Sequence, residues 1–319
     1  MVSRWFMLLI MLVAALAAGG ASCPRSRRLM TPPPAAFTQV PTAQEIVQTI
    51  NANSERIRQL QTAGASLVIP GMPSLRGSLA LERPRRMRLL ADTPLTGAEF
   101  DLGSNDEVFW MWVKRNQSPA VYFARHAAFA TSAMQHMFPV PPDWLIEAVG
   151  VVRLDPQAPI EGPYSRPNGQ WEIRSRLAVA GSELPRVIVI DGTYGWIVQQ
   201  TLYDARGQTL AIATASQHEY DPVSGVTLPR LIEVQLPPAG LTFTLRVERY
   251  LVNQLYGDPT QLWAMPRLDG HQYVDLADPR TNLSPPVSGP APTVPPTASL
   301  TPWPVQGSRE PLPPPRRWR

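Results

Sequence analysis

Two hydrophobic periods alternate along the chain. From Thr42 to about Gln61, Ile46, Ile50, Ile57 and Leu60 recur at helical spacing, joined by Val47. Thr42-Ala43-Gln44-Glu45 stands in front of them as a capping box, so these residues predict one amphipathic helix. The period then falls to two. Leu79 and Leu81, Met87 and Leu89, Phe100 and Leu102, Ile188 and Ile190, Ile232, Val234 and Leu236, and Leu241, Phe243, Leu245 and Val247 alternate with other side chains. Such alternation predicts antiparallel strands with one dry face and one wet face. Turn residues fall at "LGSND", "EGPYSRPNG", "YDARGQ" and "LPPAG". Many strands with short connections predict one curved sheet or open barrel.

Three stretches depart from that pattern. In "RMRLLADTPLTGAEFDL" (Arg86 to Leu102), two strand-like segments flank a turn that holds Leu95 behind Pro94. "VFWMWV" (Val108 to Val113) is apolar on both faces of a strand. Ala127 to Phe138 returns to helical period, with Phe129, Ala130, Ala133, Met134, Met137 and Phe138 on one face. "PVPPD" breaks this helix, and Asp143 is placed to cap a second, carrying Trp144, Leu145, Ala148 and Val149. Three helices are then available to cover the dry face of the sheet. Methionine suits irregular and changing partners. The lid residues fit an apolar cavity for acyl chains, and they also fit an ordinary filled core.

Composition adds the context. A hydrophobic share of 44% against 17% charge supports a sizeable core in 319 residues. The net charge of +4 is a mild excess that does not by itself imply nucleic acid. Lys114 is the only lysine among the basic residues. At the start, Arg4, the apolar run Trp5 to Ala18, and small residues to Ser22 read as a secretory signal. The apolar run is shorter than the roughly 20 residues that a membrane helix needs. Cys23, the only cysteine, follows at once. Ala21-Ser22-Cys23 resembles a bacterial lipobox, although Gly20 stands where leucine is preferred. The expected organisation is a signal peptide (1–22), a proline-rich linker after a lipidated Cys23 (23–41), a folded domain (42–278) and a disordered proline-rich tail (279–319). Residues 281–319 hold twelve of the 37 prolines and few aliphatic side chains.

Catalytic signatures are missing from the sequence: no G-x-S-x-G, H-E-x-x-H, P-loop or G-x-G-x-x-G is present. His126, His136, His218 and His271 are scattered without metal-ligand spacing. A non-enzymatic protein without cofactor or metal is expected.

The chain also resembles a known family. "RMRLLADTPLTGAEFDL" is similar to a strand–loop–strand of the LolB-like outer-membrane lipoprotein receptors, in the LolA/LolB superfamily. "MFPVPPDWLIEAVG" is similar to that family's proline-broken helix pair, and "YDPVSGVTLPRLIEVQLPPAGLTFTLRVERY" to its later strands. The resemblance spans about residues 42–255. It implies an α+β fold: an incomplete antiparallel β-barrel with a helical lid over an apolar cavity. It implies a lipoprotein of the bacterial cell envelope, lipid-anchored through Cys23 in the outer membrane and facing the periplasm. Such a protein takes acyl chains of lipoproteins or lipids from a LolA-like carrier and passes them to a membrane surface. Pro94 and Leu95 match the family's membrane-insertion loop. Phe129, Met134, Met137, Phe138, Trp144 and Leu145 would form the lid and cavity. One face of the apolar strand, Phe109 and Met111 or Trp110 and Trp112, would join them. The segment "GDPTQLWAMPRLDGHQYVDL" and the tail have no counterpart in the resemblance. A second reading from another class is a surface-anchored structural or scaffold lipoprotein with a filled core and a polymer- or surface-binding tail.

Overall fold

The capping box forms as its residues predict. In a computed structural model that describes residues 33–278, apart from 115–118, 134, 136–137 and 180–181, helix α1 spans Ala43–Glu55. Thr42 Oγ1 accepts the Glu45 N–H at 3.2 Å, and Glu45 Oε2 accepts the Thr42 N–H at 2.7 Å. The helix buries Ile46, Val47 and Ile50 against Val152, Leu154, Ile173, Ile188 and Ile190. It stops six residues short of the expected Gln61. Asn253 Oδ1 accepts the N–H groups of Arg58 and Gln59, and Gln59–Thr62 becomes strand β1. Ile57, in the connection, and Leu60, in β1, are still buried, as the helical spacing implied.

The strands are β2 (Ala65–Val68), β3 (Leu75–Glu82), β4 (Arg86–Thr93), β5 (Gly97–Ser104), β6 (Val108–Val113), β7 (Ala120–Arg125), β8 (Glu161–Arg166), β9 (Gln170–Val179), β10 (Ser182–Asp191), β11 (Ile197–Tyr203), β12 (Thr209–Asp221), β13 (Val226–Leu236), β14 (Leu241–Val247), β15 (Tyr250–Val252) and β16 (Gln272–Asp275). They make one curved, unclosed sheet in the order β16-β7-β6-β5-β4-β3-β2-β14-β13-β12-β11-β10-β9-β8, with β1 joining β3 and β15. Neighbours are antiparallel except β16, which lies parallel to β7. Glu161–Arg166, expected as part of a turn, is instead edge strand β8. Its Pro163 is tolerated there because an edge leaves one row of backbone groups unpaired.

Register carries one apolar row across the sheet. Met111, Leu102, Leu89 and Leu79 are successive cross-strand partners, and Leu75, Leu67, Leu245 and Ile232 continue the same face. Helix α1 covers its far half, with helix α2 (Pro142–Ala148) beside it. Gln200 Nε2 donates to Glu147 O at 3.0 Å, which fixes α2 on this face. Pro141, not Asp143, occupies the N-cap of α2. Asp143 lies in the first turn, and no side chain caps the helix.

The expected helix over 127–138 is not what the described residues show. His126–Thr131 is a short 3-10 helix, Ser132 leaves the helical path, and Gln135 is again helical; Met134, His136 and Met137 lie outside the described residues. The Phe129 ring meets Phe109 edge-on at 5.6 Å, and this contact sets the local path. The signal segment, Cys23 and the tail also lie outside the described residues.

Candidate functional site

The antiparallel order sends alternate turns to opposite rims of the sheet. One rim carries the β4–β5 turn, the end of β2 and the end of β6. Leu95 stands on that rim, 95% exposed. Its turn is built by local chemistry. Pro94 sets the backbone before it, and Gly97 turns the chain back at φ 74°, a conformation that L side chains adopt only with strain. Thr93 Oγ1 accepts the Thr96 N–H at 3.0 Å. The Thr96 hydroxyl donates to Glu99, and the Lys114 ammonium donates to Thr96 O and pairs with Glu99 at 3.4 Å. The turn is therefore braced from β5 and β6, and the leucine is held in water by hydrogen bonds rather than by packing.

Leu95 has apolar company. Val68 (39% exposed) ends β2, and Val113 (37% exposed) ends β6 on the same rim. Sequence reading missed both. A signal was available: Leu67 and Val68 are adjacent in a strand, so only one of them can face the core. Lys114, partly exposed and paired with Glu99, follows Val113 at the end of β6.

The surplus on "VFWMWV" is accounted for by packing on both faces. Phe109 meets Phe129 on the face with the apolar row. Trp110 and Trp112 occupy the opposite face with Val121, under Phe123, Met265 and Leu268. The cover on this side is thus the segment that the family resemblance did not include. Its short helix α3 (Pro259–Leu262) is latched by Arg88, whose Nη1 donates to Gln261 O at 2.9 Å while its Nη2 pairs with Asp101 at 2.8 Å. Trp110 Nε1 donates to Asp101 at 3.1 Å. Gly103, cross-strand from Trp110, leaves room for the indole, since a Cβ there would lie 2.1 Å from the ring. Of the remaining candidate cavity and lid residues, Phe129, Phe138, Trp144 and Leu145 are buried and Met111 is half-buried.

The opposite rim has its own turn, Asp221-Pro222-Val223-Ser224-Gly225, with Val223 94% exposed. Beside it a cavity of about 370 Å³ is lined by Pro33, Pro34, Arg56, Tyr194, Trp196, His218 and Tyr220, among others. Tyr194 stacks on Trp196 at 4.5 Å, and Trp196 on His218 at 4.8 Å with rings nearly parallel. Burial lowers the His218 pKa to about 4, against the opposing pull of its bond to Ile197 O and of Asp191. The segment before α1 is tied here, with Ala36 and Phe37 both donating to Thr193 O. Among the described residues no group of three or more His, Cys, Asp or Glu is placed to hold a metal ion.

These features define a class by architecture: an open, curved sheet with helices α1 and α2 on one face and a braced apolar turn on one rim. The chain is similar to solved structures of the LolA superfamily and of lipoprotein sorting. An outer membrane lipoprotein-sorting protein domain from Vibrio parahaemolyticus superposes at TM-score 0.46 and 9% identity, over 69% of this chain and 95% of that one. A LolA superfamily protein from Nitrosomonas europaea gives 0.43 and 10%, over 69% and 97%. A DUF1329 family protein from Desulfovibrio piger gives 0.47 and 9%, over 69% and 97%. No family model and no curated protein matches the sequence. At these scores the likenesses carry no functional weight.

Proposed function

We propose that the protein is a lipoprotein of the cell envelope that binds acyl chains of lipids or lipoproteins and passes them to a membrane through the Leu95 rim. The observation that carries this reading is Leu95 itself, exposed at 95% on a hydrogen-bonded turn, with Val68 and Val113 on the same rim. Full burial of one leucine gains roughly 2 kcal/mol. That favours transient contact with lipid and is too little to anchor. Each acyl methylene gains about 0.8 kcal/mol on leaving water. A bilayer offers nearly the same, so transfer runs on small differences between carrier, receptor and membrane. Cys23 is the proposed lipid anchor, and the outer membrane facing the periplasm the proposed location. The same rim suits a LolA-like donor as a partner.

Two measurements test the reading. Extraction of the purified protein followed by mass spectrometry should recover bound acyl lipid; a protein free of lipid that also takes up no fluorescent acyl probe would favour the scaffold alternative. A fatty-acid label should mark the wild type and not Cys23→Ser, and equal labelling would remove the anchor.

A further inference from the structure

A second cavity, of about 580 Å³, lies at the rim opposite Leu95, between the β3–β4 turn and α2. Arg58, Arg83 and Arg153 line it, together with Gln59, Glu82, Asp143 and Glu147. The acids are largely engaged elsewhere. Glu82 accepts from Gln59 Nε2 at 2.6 Å and pairs with Arg86 at 2.9 Å. Glu147 pairs with Arg186 at 2.6 Å. No salt bridge reaches Arg58, Arg83, Arg153 or Asp143 among the described residues. Arg86 is shared between Glu82 and Asp106, so Glu82 is only partly neutralised, and Arg58, Arg83 and Arg153 against Asp143 and the remainder of Glu82 leave the cavity with a positive excess of between one and two charges.

Arg83 is the least comfortable of the three. Its Nε is buried and has no acceptor. Burial holds its guanidinium below the ordinary value, the Arg153 guanidinium adds to this, and only Glu55 opposes it. A guanidinium keeps its proton at neutral pH even so, and a partly desolvated cation beside a like charge is costly. The fold alone gives no reason to aim like charges at one another across an open cavity. An incoming anion removes both costs.

We propose that this cavity binds a phosphate group, with Arg83 as the inner ligand and Arg58 and Arg153 at the mouth. A phosphate monoester carries about −1.5 to −2 charge at neutral pH, opposite in sign to this excess. Guanidinium forks bind phosphate oxygens bidentately, and the volume lies within the usual range of ligand pockets. The phosphate belongs to a lipid headgroup or to a free phosphate compound. The inference goes beyond the acyl-transfer reading and uses residues at the other end of the molecule.

The test is calorimetric titration of the full chain with inorganic phosphate, with dihexanoyl phosphatidic acid and with dihexanoyl phosphatidylcholine. Saturable binding of inorganic phosphate, weakened about tenfold or more by Arg83→Gln and by Arg153→Gln and unchanged by Arg85→Gln outside the cavity, supports the site with a free phosphate. The same pattern with dihexanoyl phosphatidic acid alone supports it with a lipid headgroup. Phosphate at constant ionic strength should raise the wild-type melting temperature and leave that of Arg83→Gln unmoved. Without phosphate, Arg83→Gln should melt at or above the wild-type temperature, because a like-charge contact is gone. Absence of saturable binding of both anionic probes, binding indifferent to the two cavity substitutions, or an Arg83→Gln protein that melts well below wild type without phosphate would each overturn the proposal.

Discussion

Thr93-Pro94-Leu95-Thr96-Gly97 and Asp221-Pro222-Val223-Ser224-Gly225 are built alike and stand at opposite rims. Each holds an aliphatic side chain in water behind a proline. Each follows it with a hydroxyl residue and a glycine at positive φ, 74° and 66°. Each is pinned by a side chain at its start, Thr93 on Thr96 N–H in one and Asp221 on Val223 and Ser224 N–H in the other. What differs is the neighbourhood. The Leu95 rim has further exposed valines and a lysine. The Val223 rim is tied down: Arg56 donates to Gly225 O, Asn53 exchanges two hydrogen bonds with Thr227, and the Tyr194–Trp196–His218 stack stands alongside. An exposed aliphatic side chain is common and by itself uninformative. It acquires meaning when others on the same rim can enter lipid together.

The comparison can be broken at several points. The largest expected effect is on the Val223 side. His218 has a folded pKa of about 4 against an ordinary 6.5, so between those values the unfolded chain takes up a proton that the folded chain refuses. The stability from neutral His218 is complete above pH 6.5 and is lost as the pH falls towards 4, by on the order of 3 kcal/mol. The difference between the wild-type and His218→Gln unfolding profiles isolates it. A flat difference would mean that the stack is open to water.

Next comes the chemistry of the tips. Leu95→Glu should slow delivery of a bound acyl probe to liposomes by about tenfold or more, since burying an unpaired carboxylate is costly, with probe binding unchanged. Val223→Glu should deliver at nearly the wild-type rate. Equal slowing by both would mean that either rim meets the membrane.

The brace around Leu95 should matter less. Lys114→Met removes the bond to Thr96 O and the pair with Glu99. A loosened turn should reduce delivery severalfold. Delivery at the wild-type rate would show that the leucine needs exposure and no rigid mount. The smallest effect separates surface from core. Leu95→Glu and Val223→Glu should each change unfolding free energy by no more than about 0.5 kcal/mol. A large loss in either would place that side chain in packing.

Much of this was legible along the chain because it depends on near neighbours. The capping box is a reciprocal bond over three residues, so Thr42 and Glu45 sufficed to place the start of α1. Alternation placed Leu79, Leu89, Leu102, Ile188 and Leu245 on one face, since the strand repeat of two is set by backbone geometry. The exposed Leu95 was readable for the same reason, Pro94 and Gly97 being local instructions. The end of α1 was not readable, because Asn253, nearly two hundred residues later, accepts the amides that a longer helix would have used. Nor was the path of 127–138, where Phe129 serves Phe109 across strands instead of a helical face.

Sequence alone therefore determined the elements whose bonds close within a few residues: the cap of α1, the alternating strands and the proline–glycine turn that holds Leu95. Tertiary structure alone decided which turns share a rim, because that follows from counting antiparallel neighbours through β2, β14 and β13, which pair across long stretches of chain. It also decided that a late segment covers Trp110 and Trp112 and that Arg58, Arg83 and Arg153 face one cavity. Apolar surplus and like charge are both visible in a sequence. What relieves them is a contact between distant parts of the chain, and hydrophobic attraction and Coulomb forces act on distance in space without regard to separation along it.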